Sequence, residues 1–409
     1  MSLSPTADPA ELGFDPARLS RIERHFAKYV DSELLPGFQV AVTRRGQVAY
    51  TATYGLRDKE SGAPVEDDTL WRIYSMTKPI TSVAAMSLWE EGRFELTDEI
   101  SRYLPEFADV RVYDKGSSTT PFTVPALEPI RIWHLLTHTS GLTYGFFYSS
   151  VVDAIYRDAG FDVVPEGYDL AEGVRRIARL PLLFQPGTRW GYGVSTDVLG
   201  RVLEVVAGKP LDEVIAERVL APLKMTDTTW WVEPERAHRL AGLYAPHPVT
   251  GHAVRHDLLG HFATEQPDFL AGGAGLISTA ADYHRFTQML LRGGELDGVR
   301  VLGSRTLAWM TRNHLPGGKD LGTLSSGGFA ETNFEGIGFG LGFAVMLNPL
   351  PSKTLASTGE FYWGGMASTA FVVDPAEEIT ILFFTQLVPS SRYPIRPQLR
   401  QLVYQALVD

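Results

Sequence analysis

The strand-like segments of this sequence are concentrated at its two ends, on either side of a long and mostly helical middle. Near the N-terminus, FQVAVTRRGQVAYTATYG predicts two strands joined at Arg44-Arg45-Gly46. Near the C-terminus, ASTAFVVD and EITILFFTQ predict two more strands, and a helix follows from about Arg396. If the first and last strands share one antiparallel sheet, the middle of the chain is an insertion. The pattern therefore favours an α+β fold with a discontinuous sheet.

The length of the chain predicts more than one compact unit. A chain of 409 residues is too long for one small core, and two or three units are expected. We predict a sheet domain formed by residues 1–95 and 265–409, and a mostly helical domain with loop excursions formed by residues 96–264. Clefts between such units are preferred places for ligand sites.

The predicted middle domain alternates between helices and irregular segments. Residues 109–129 are rich in Ser, Thr, Pro and charged side chains, which predicts a loop excursion, and residues 143–170 are aromatic and irregular. IRIWHLLTHTSGL predicts a short helix that ends near Ser140-Gly141. A better-defined helix is predicted from about Thr196 to Ala207, where an apolar stripe is followed by a glycine.

Composition excludes several classes of function. The net charge is −11 and no run of Lys or Arg occurs, so a nucleic-acid partner is not expected. The chain has no cysteine, which excludes disulfides, thiol nucleophiles and Cys-based metal sites. The longest apolar run, residues 379–384, is too short to span a bilayer, so no membrane partner is expected. The N-terminus lacks a secretory pattern, and we expect a cytoplasmic protein, with an already removed leader as the open alternative.

The segment WRIYSMTKPITSVAAMSLWEEG places Ser75 and Lys78 three residues apart at the start of a predicted helix. Pro79 is tolerated only near a helix start, so Ser75 should lie at or just before the first turn of a helix that runs to about Glu90. Residues three apart share a helix face, which lets the Ser75 hydroxyl and the Lys78 amine approach each other. The helix N-terminus would favour a neutral lysine, which can accept the serine proton. A capping serine beside a solvated lysine is the alternative.

Two further segments could complete a catalytic site. Tyr192 precedes the helix predicted from Thr196, and it could relay or accept the serine proton if a neighbouring cation lowers its pKa. Trp363-Gly364-Gly365 precedes a strand, where paired glycines would let a substrate approach the backbone and an exposed N–H could stabilise an oxyanion. The alternatives are a packing aromatic residue and a simple bend into a strand.

Two histidine pairs have the four-residue spacing of zinc sites. His134 and His138 form one pair, and His252 and His256 form the other. The glutamate of His-Glu-x-x-His is absent, so structural histidines are expected. The chain also lacks a dinucleotide or phosphate-binding glycine pattern, and we predict neither a metal nor a cofactor.

Five segments occur in the order found in a known group of enzymes. They are SMTK, HLLTHTSGL, Tyr192-Gly193-Val194, GGAGLISTAADYHRF, and WGGMAST followed by Asp374-Pro375. With these segments the chain resembles the serine hydrolases related to class C β-lactamases and penicillin-binding proteins, and is most similar to the family VIII carboxylesterases. The resemblance covers most of the chain. It implies a β-lactamase-like fold, in which a central antiparallel sheet is flanked by helices and carries an inserted, mostly helical domain.

The resemblance also implies roles for individual residues. Ser75 would be the acylated nucleophile, and Lys78 and Tyr192 would be the proton-transfer pair, with the first proton acceptor left open. The backbone N–H groups of Ser75 and Met366 would form the oxyanion hole.

Two departures from the β-lactamase pattern bear on substrate. The lysine of the Lys-Thr-Gly motif, which helps to bind a substrate carboxylate, is replaced by Trp363 in Trp363-Gly364-Gly365. The second motif usually ends in Asn and here ends in Val194. Together these changes predict a pocket for neutral, apolar acyl groups, with Tyr144 as part of an aromatic wall.

These observations predict a serine carboxylesterase that hydrolyses small neutral, short-chain esters through an acyl-enzyme on Ser75, with little or weak β-lactamase activity. An acyltransferase, or an amidase or D-aminopeptidase, on the same Ser-Lys-Tyr site is the alternative among enzymes. A non-catalytic scaffold is the alternative from another class. The only partner predicted is a small-molecule ester, and no oligomeric state is predicted.

Overall fold

The structure is a computed structural model that describes residues 3–162, 165–257, 263–326 and 334–409. Its largest element is an eight-stranded sheet in which every neighbouring pair is antiparallel. In spatial order the strands are Ile337–Phe339, Ala344–Met346, Phe361–Gly364, Ala370–Asp374, Ile379–Phe384, Gly37–Arg44, Gln47–Asp58 and Ala63–Pro64.

Strands from the two ends of the chain meet inside this sheet. Gly37–Arg44 pairs with Ile379–Phe384, so that Gln39 lies opposite Phe384 and Arg44 lies opposite Ile379. All residues of both strands are buried, which requires cover on both faces of the sheet. The predicted shared sheet and the predicted α+β fold are therefore confirmed.

Helices cover the two faces of the sheet. Successive side chains of a strand point to opposite faces, so neighbouring residues of one strand pack against different helices. Phe383 packs against Phe26 of the helix Arg21–Asp31, with ring centroids 4.6 Å apart. The next residue, Phe384, packs against Tyr283 of the helix Ala280–Leu291 on the other face. The core is thus built in three layers.

The remaining elements are short strand pairs and helices. The pairs are Trp71–Arg72 with Ile277–Ser278, Arg111–Gly116 with Pro121–Pro125, Tyr244–Pro246 with Ala253–Arg255, and Glu295–Leu296 with Val299–Arg300. The α-helices are Pro16–Leu19, Arg21–Asp31, Thr77–Glu90, Ile132–Leu136, Val151–Asp158, Leu170–Ile177, Ser195–Ala207, Leu211–Ile215, Ala280–Leu291, Ser304–Met310, Leu321–Leu324, Pro349–Ser352 and Ile395–Tyr404. No helix among the described residues is long and apolar enough to cross a membrane.

The middle of the chain is more ordered than its sequence predicts. The expected loop at 109–129 contains the hairpin Arg111–Gly116 with Pro121–Pro125, whose strands are largely exposed and so lack an alternating apolar pattern. The expected irregular segment 143–170 contains the helix Val151–Asp158, and the side chain of Ser150 caps that helix by accepting from the backbone N–H of Asp153.

Helix boundaries in the middle follow the local sequence. The helix predicted to end near Ser140-Gly141 spans only Ile132–Leu136. The helix predicted from Thr196 begins one residue earlier and spans Ser195–Ala207. It ends at Gly208 with φ of 68°, a left-handed conformation that glycine adopts without strain. All eight strands of the sheet lie within the predicted sheet domain, and the exact domain boundaries stay a prediction.

The C-terminal helix Ile395–Tyr404 is attached to the sheet by buried polar contacts. The Nε of Arg400 donates to Oε1 of Glu360 at 2.8 Å, and the two side chains are 4% and 0% exposed. The hydroxyl of Tyr404 donates to Glu360 at 2.9 Å and to Asp374. A buried carboxylate without a cation would strongly destabilise the fold. The C-terminal helix and the part of the sheet next to Glu360 therefore depend on each other for stability.

We expect Arg400→Met to lower the free energy of unfolding by about 3–5 kcal/mol, because it leaves the Glu360 carboxylate buried without its cation. Urea denaturation followed by circular dichroism measures the change. Arg175→Met, which removes an exposed ion pair with Glu172, is the control and should change the stability little. Equal stabilities for the two variants would show that the buried pair has no special role.

Candidate active site

Ser75 lies in a one-turn helix, Tyr74–Met76, that leads directly into the helix Thr77–Glu90. This matches the predicted position at the start of the helix. Tyr74 has φ of 43°, in the left-handed region that costs a non-glycine residue energy. Neighbouring elements hold the turn, since the N–H of Ile73 donates to the carbonyl of Leu276 at 3.1 Å. The position of Ser75 is therefore imposed by surrounding structure.

Lys78 lies in a helix whose residues Thr77 to Leu88 are all buried. Its side chain is 2% exposed. The Nζ atom lies 3.2 Å from Ser75 Oγ, 3.1 Å from the hydroxyl of Tyr144 and 2.7 Å from the carbonyl oxygen of Gly273. These contacts exclude the alternative of a solvated lysine beside a capping serine.

The surroundings of Lys78 favour its neutral form. Burial lowers the pKa of Lys78 to about 7, and the carboxylate of Asp197 opposes this shift. The sequence predicts a lowered pKa from the helix N-terminus, but burial is the larger cause in the structure. A lysine with this pKa can accept a proton near neutral pH.

Asp197 and Gly273 belong to the site but were not among the predicted residues. Asp197 lies in the first turn of the helix Ser195–Ala207 and accepts from the N–H of Gly273 at 2.9 Å. A Cβ at Gly273 would lie 3.0 Å from Asp197 Oδ2 and 3.2 Å from Lys78 Nζ, so glycine keeps this space open. The available signals were an acidic residue shortly after Tyr192, in the first turn of the following helix, and the GGAG segment.

Tyr192 is brought to the same place by the loop before the helix Ser195–Ala207. Its ring lies 4.5 Å from Lys78 Nζ, and its hydroxyl accepts from Trp363 Nε1 at 3.2 Å and shares a hydrogen bond with the Ser75 side chain. Burial raises the pKa of Tyr192, so the lowered pKa required for a tyrosinate base is not found. The phenol stays protonated at neutral pH and can relay a proton.

Tyr144 has a second role beyond the predicted aromatic wall. Its side chain lines the cavity beside Ser75, and its hydroxyl contacts Lys78 Nζ. Burial raises the pKa of Tyr144 well above its ordinary value, so this phenol is also neutral. Lys78 is therefore held between two neutral phenols.

Ser75 and Met366 both line the cavity, as two oxyanion donors must. Met366 lies in the turn between the strands Phe361–Gly364 and Ala370–Asp374. A Cβ at Gly365 would lie 2.4 Å from the carbonyl oxygen of Ile73, so glycine lets this turn approach the Ser75 segment. The structure thus gives this glycine one role, the close approach of two backbone segments, while the close approach of a substrate stays a prediction.

The cavity in front of Ser75 has a volume of about 750 Å³. Of the predicted substrate-binding residues, Tyr144, Val194 and Gly364 line it, whereas Trp363 and Gly365 are not among its lining residues. Its other aromatic residues are Tyr74, Phe146, Phe147, Phe161, Tyr192, Trp230 and Phe269, and its carboxylates are Asp162, Glu166, Asp197, Glu265 and Asp268. The cavity is thus rich in aromatic side chains, and all of its carboxylates except Asp197 lie outside helices and strands.

The paired histidines do not form a metal centre within the described residues, where no group of three or more His, Asp or Glu side chains could hold an ion. His138 is buried, with its ring 4.9 Å from that of Tyr192. Burial lowers the pKa of His138 well below its usual value, so it supports Tyr192 as a neutral ring.

We expect the reactivity of Ser75 to rise with pH through about 7, because Lys78 must lose its proton to act as a base. Asp197→Asn removes a charge that raises the pKa of Lys78, so the midpoint should move to lower pH. The measurement is the rate of covalent labelling by a fluorophosphonate from about pH 5 to 9, in steps of ~0.5 pH units. It gives the midpoint for the wild type and the midpoint for Asp197→Asn. Glu213→Gln, on an exposed site, is the control. A midpoint that moves to higher pH would contradict the assignment.

Known proteins match this chain in sequence and in fold. A model of the Beta-lactamase family matches residues 22–405. Esterase EstB of Burkholderia gladioli is 32% identical over an alignment that covers 97% of this chain and 98% of the esterase. Protein Rv1367c of Mycobacterium tuberculosis is 38% identical over 362 residues, which cover 88% of each chain.

A solved structure, described as EstCE1, a hydrolase with promiscuous acyltransferase activity, superposes with a TM-score of 0.80 at 26% identity. The match covers 97% of this chain and 99% of that one. The predicted resemblance and the predicted fold are confirmed, and the chain belongs to the Beta-lactamase family.

Proposed function

We propose that the protein is a serine carboxylesterase that works through an acyl-enzyme on Ser75. The observation that carries the proposal is the contact between Ser75 Oγ and Lys78 Nζ at 3.2 Å, with the pKa of Lys78 lowered to about 7 by burial. A serine hydroxyl is a weak nucleophile until a base accepts its proton, and this lysine is a suitable base near neutral pH. The relationship to an esterase over nearly the whole chain supports the same activity.

In the first half-reaction, Ser75 Oγ attacks the ester carbonyl carbon while its proton passes to Lys78 Nζ. The carbonyl oxygen becomes negative and accepts hydrogen bonds from the N–H groups of Ser75 and Met366. The carbon–oxygen bond to the alcohol then breaks. The leaving alkoxide takes a proton from Lys78 by way of Tyr192, whose hydroxyl contacts Ser75 and whose ring lies against Lys78 Nζ.

In the second half-reaction, water replaces the alcohol. Lys78 accepts a proton from the water while the water oxygen attacks the acyl carbon. The bond between the acyl carbon and Ser75 Oγ then breaks. The proton returns to the serine, and the carboxylic acid leaves. No charge is carried away from the site, so the enzyme is restored for the next turnover.

The cavity supports neutral, apolar esters as substrates. Among the described lining residues, Arg72 is the only basic one, and its Nη1 donates to the carbonyl of Ala241 at 2.6 Å. A substrate carboxylate would therefore meet acidic side chains, which accounts for the weak β-lactamase activity that we propose. A volume of about 750 Å³ exceeds the need of a short acyl chain and leaves room for a bulkier acyl or alcohol group.

We expect Ser75→Ala to lower the hydrolysis of p-nitrophenyl butyrate by at least about 10³-fold, because it removes the hydroxyl that forms the proposed acyl-enzyme. Ser87→Ala is the matched control, since Ser87 lies in the helix that follows Ser75 and donates locally to the carbonyl of Ala84. Initial rates and mass spectrometry of a trapped acyl-enzyme measure the effect. Full activity of the Ser75 variant would refute the proposal, and anilide and nitrocefin controls separate esterase from amidase and β-lactamase activity.

Acyl transfer is a second candidate, favoured by similarity to a hydrolase with promiscuous acyltransferase activity and by a cavity with room for an acceptor. We expect hydrolysis to dominate, with a minor transfer product when benzyl alcohol is added to p-nitrophenyl butyrate. Chromatography of acid and ester products gives the ratio. If the benzyl ester exceeds the acid at millimolar acceptor, transfer is the main activity.

A further inference from the structure

One face of the C-terminal helix Ile395–Tyr404 carries Arg396, Arg400 and Tyr404 at four-residue intervals. Side chains at this spacing lie above one another on a helix. Arg400 and Tyr404 bond to the buried carboxylate of Glu360. These bonds fix the helix against the sheet, so the position of Arg396 on the same face is fixed as well.

Arg396 contacts the turn that carries Met366. Its Nη2 donates to the carbonyl oxygens of Gly365 and Thr369, each at 3.1 Å. The same carbonyls close the turn itself, since Gly365 N–H donates to Thr369 O at 2.9 Å and Ser368 N–H donates to Gly365 O at 3.1 Å. One guanidinium nitrogen therefore holds both ends of the turn.

The two glycines of this segment make room on opposite sides. A Cβ at Gly364 would lie 2.1 Å from Nη2 and 2.3 Å from Cζ of Arg396, and a Cβ at Gly365 would lie 2.4 Å from Ile73 O. Neither approach is possible for a larger residue. The turn is thus confined between Arg396 and the segment that carries Ser75.

We propose that Arg396 is a positioning residue of the oxyanion hole, which holds the Gly365–Thr369 turn so that the Met366 N–H faces the ester oxygen. The inference rests on the proposed function, since it needs an ester oxygen that becomes negative. Arg396 is absent from the cavity lining, so it acts through the turn and not on the substrate. A small displacement of an oxyanion donor is enough to weaken transition-state stabilisation.

The test compares Arg396→Met with Arg396→Lys, and uses Arg392→Met as the control because Arg392 is exposed and precedes the same helix. For p-nitrophenyl butyrate we expect Arg396→Met to lower kcat about tenfold to a hundredfold while KM changes less than about twofold. Arg396→Lys should retain more activity, because an ammonium can still donate to these carbonyls. The control should match the wild type.

A transition-state analogue separates positioning from a general loss of structure. Phenylboronic acid forms a tetrahedral adduct with a serine nucleophile, and its affinity for Arg396→Met should fall by about the factor lost in kcat/KM. Thermal unfolding of each variant is measured in parallel. If Arg396→Met does not fold, the positioning role is tested with Arg396→Lys and Gly364→Ala instead. The methyl group of an alanine at position 364 would displace the guanidinium of Arg396 from the turn.

The outcomes distinguish this inference from the proposed function. A wild-type protein without esterase activity would refute the proposed function. If the wild type is active and the folded Arg396 and Gly364 variants have the same kcat as the wild type, only the positioning role of Arg396 is overturned. A loss confined to KM would assign Arg396 to substrate binding and would also overturn it.

Discussion

The enclosure of Lys78 is the constraint on which the site depends. A lysine in a helix buried over twelve consecutive residues cannot keep an unpartnered charge, so it must be neutral or surrounded by acceptors. The structure supplies both conditions: a pKa of about 7, and contacts with the Gly273 carbonyl and the Tyr144 hydroxyl. Gly273 and Asp197 adjoin this nitrogen and satisfy it, and a lysine held in this balance can accept a proton near neutral pH.

The sheet brings distant parts of the chain to this lysine. Pairing of Gly37–Arg44 with Ile379–Phe384 joins the two ends of the chain, and it aligns the strands Phe361–Gly364 and Ala370–Asp374 beside them. The turn between these last strands then lies against the segment that carries Ser75. The arrangement of the active site at the end of the sheet therefore depends on a stable core on both faces of the sheet.

Prediction from sequence succeeds where the signal is local or strongly periodic. The terminal strands, the helix after Ser75 and the position of Tyr192 before its helix follow from periodicity, proline and glycine. The Arg111–Gly116 hairpin does not, because its exposed strands show no apolar alternation.

The contacts of the site are harder to predict, since they depend on tertiary distances. Nothing in the sequence indicates that the carboxylate of Asp197 faces Lys78, or that the guanidinium of Arg396 fills the space beside Gly364. The raised pKa of Tyr192 is likewise a consequence of burial, which residue order does not reveal.

The replacement of the β-lactamase lysine by Trp363 has a consequence beyond substrate charge. Trp363 is not among the residues that line the cavity, and it donates a neutral N–H to the hydroxyl of Tyr192. Burial raises the pKa of Tyr192, and the hydrogen bond from Trp363 and the charge of Arg396 oppose this shift only in part. A cation at position 363 would oppose it further. We propose that the same substitution, which removes a carboxylate-binding charge, also makes Lys78 the better proton acceptor of the pair. In this proposal, substrate preference and the division of proton transfer are coupled through one residue.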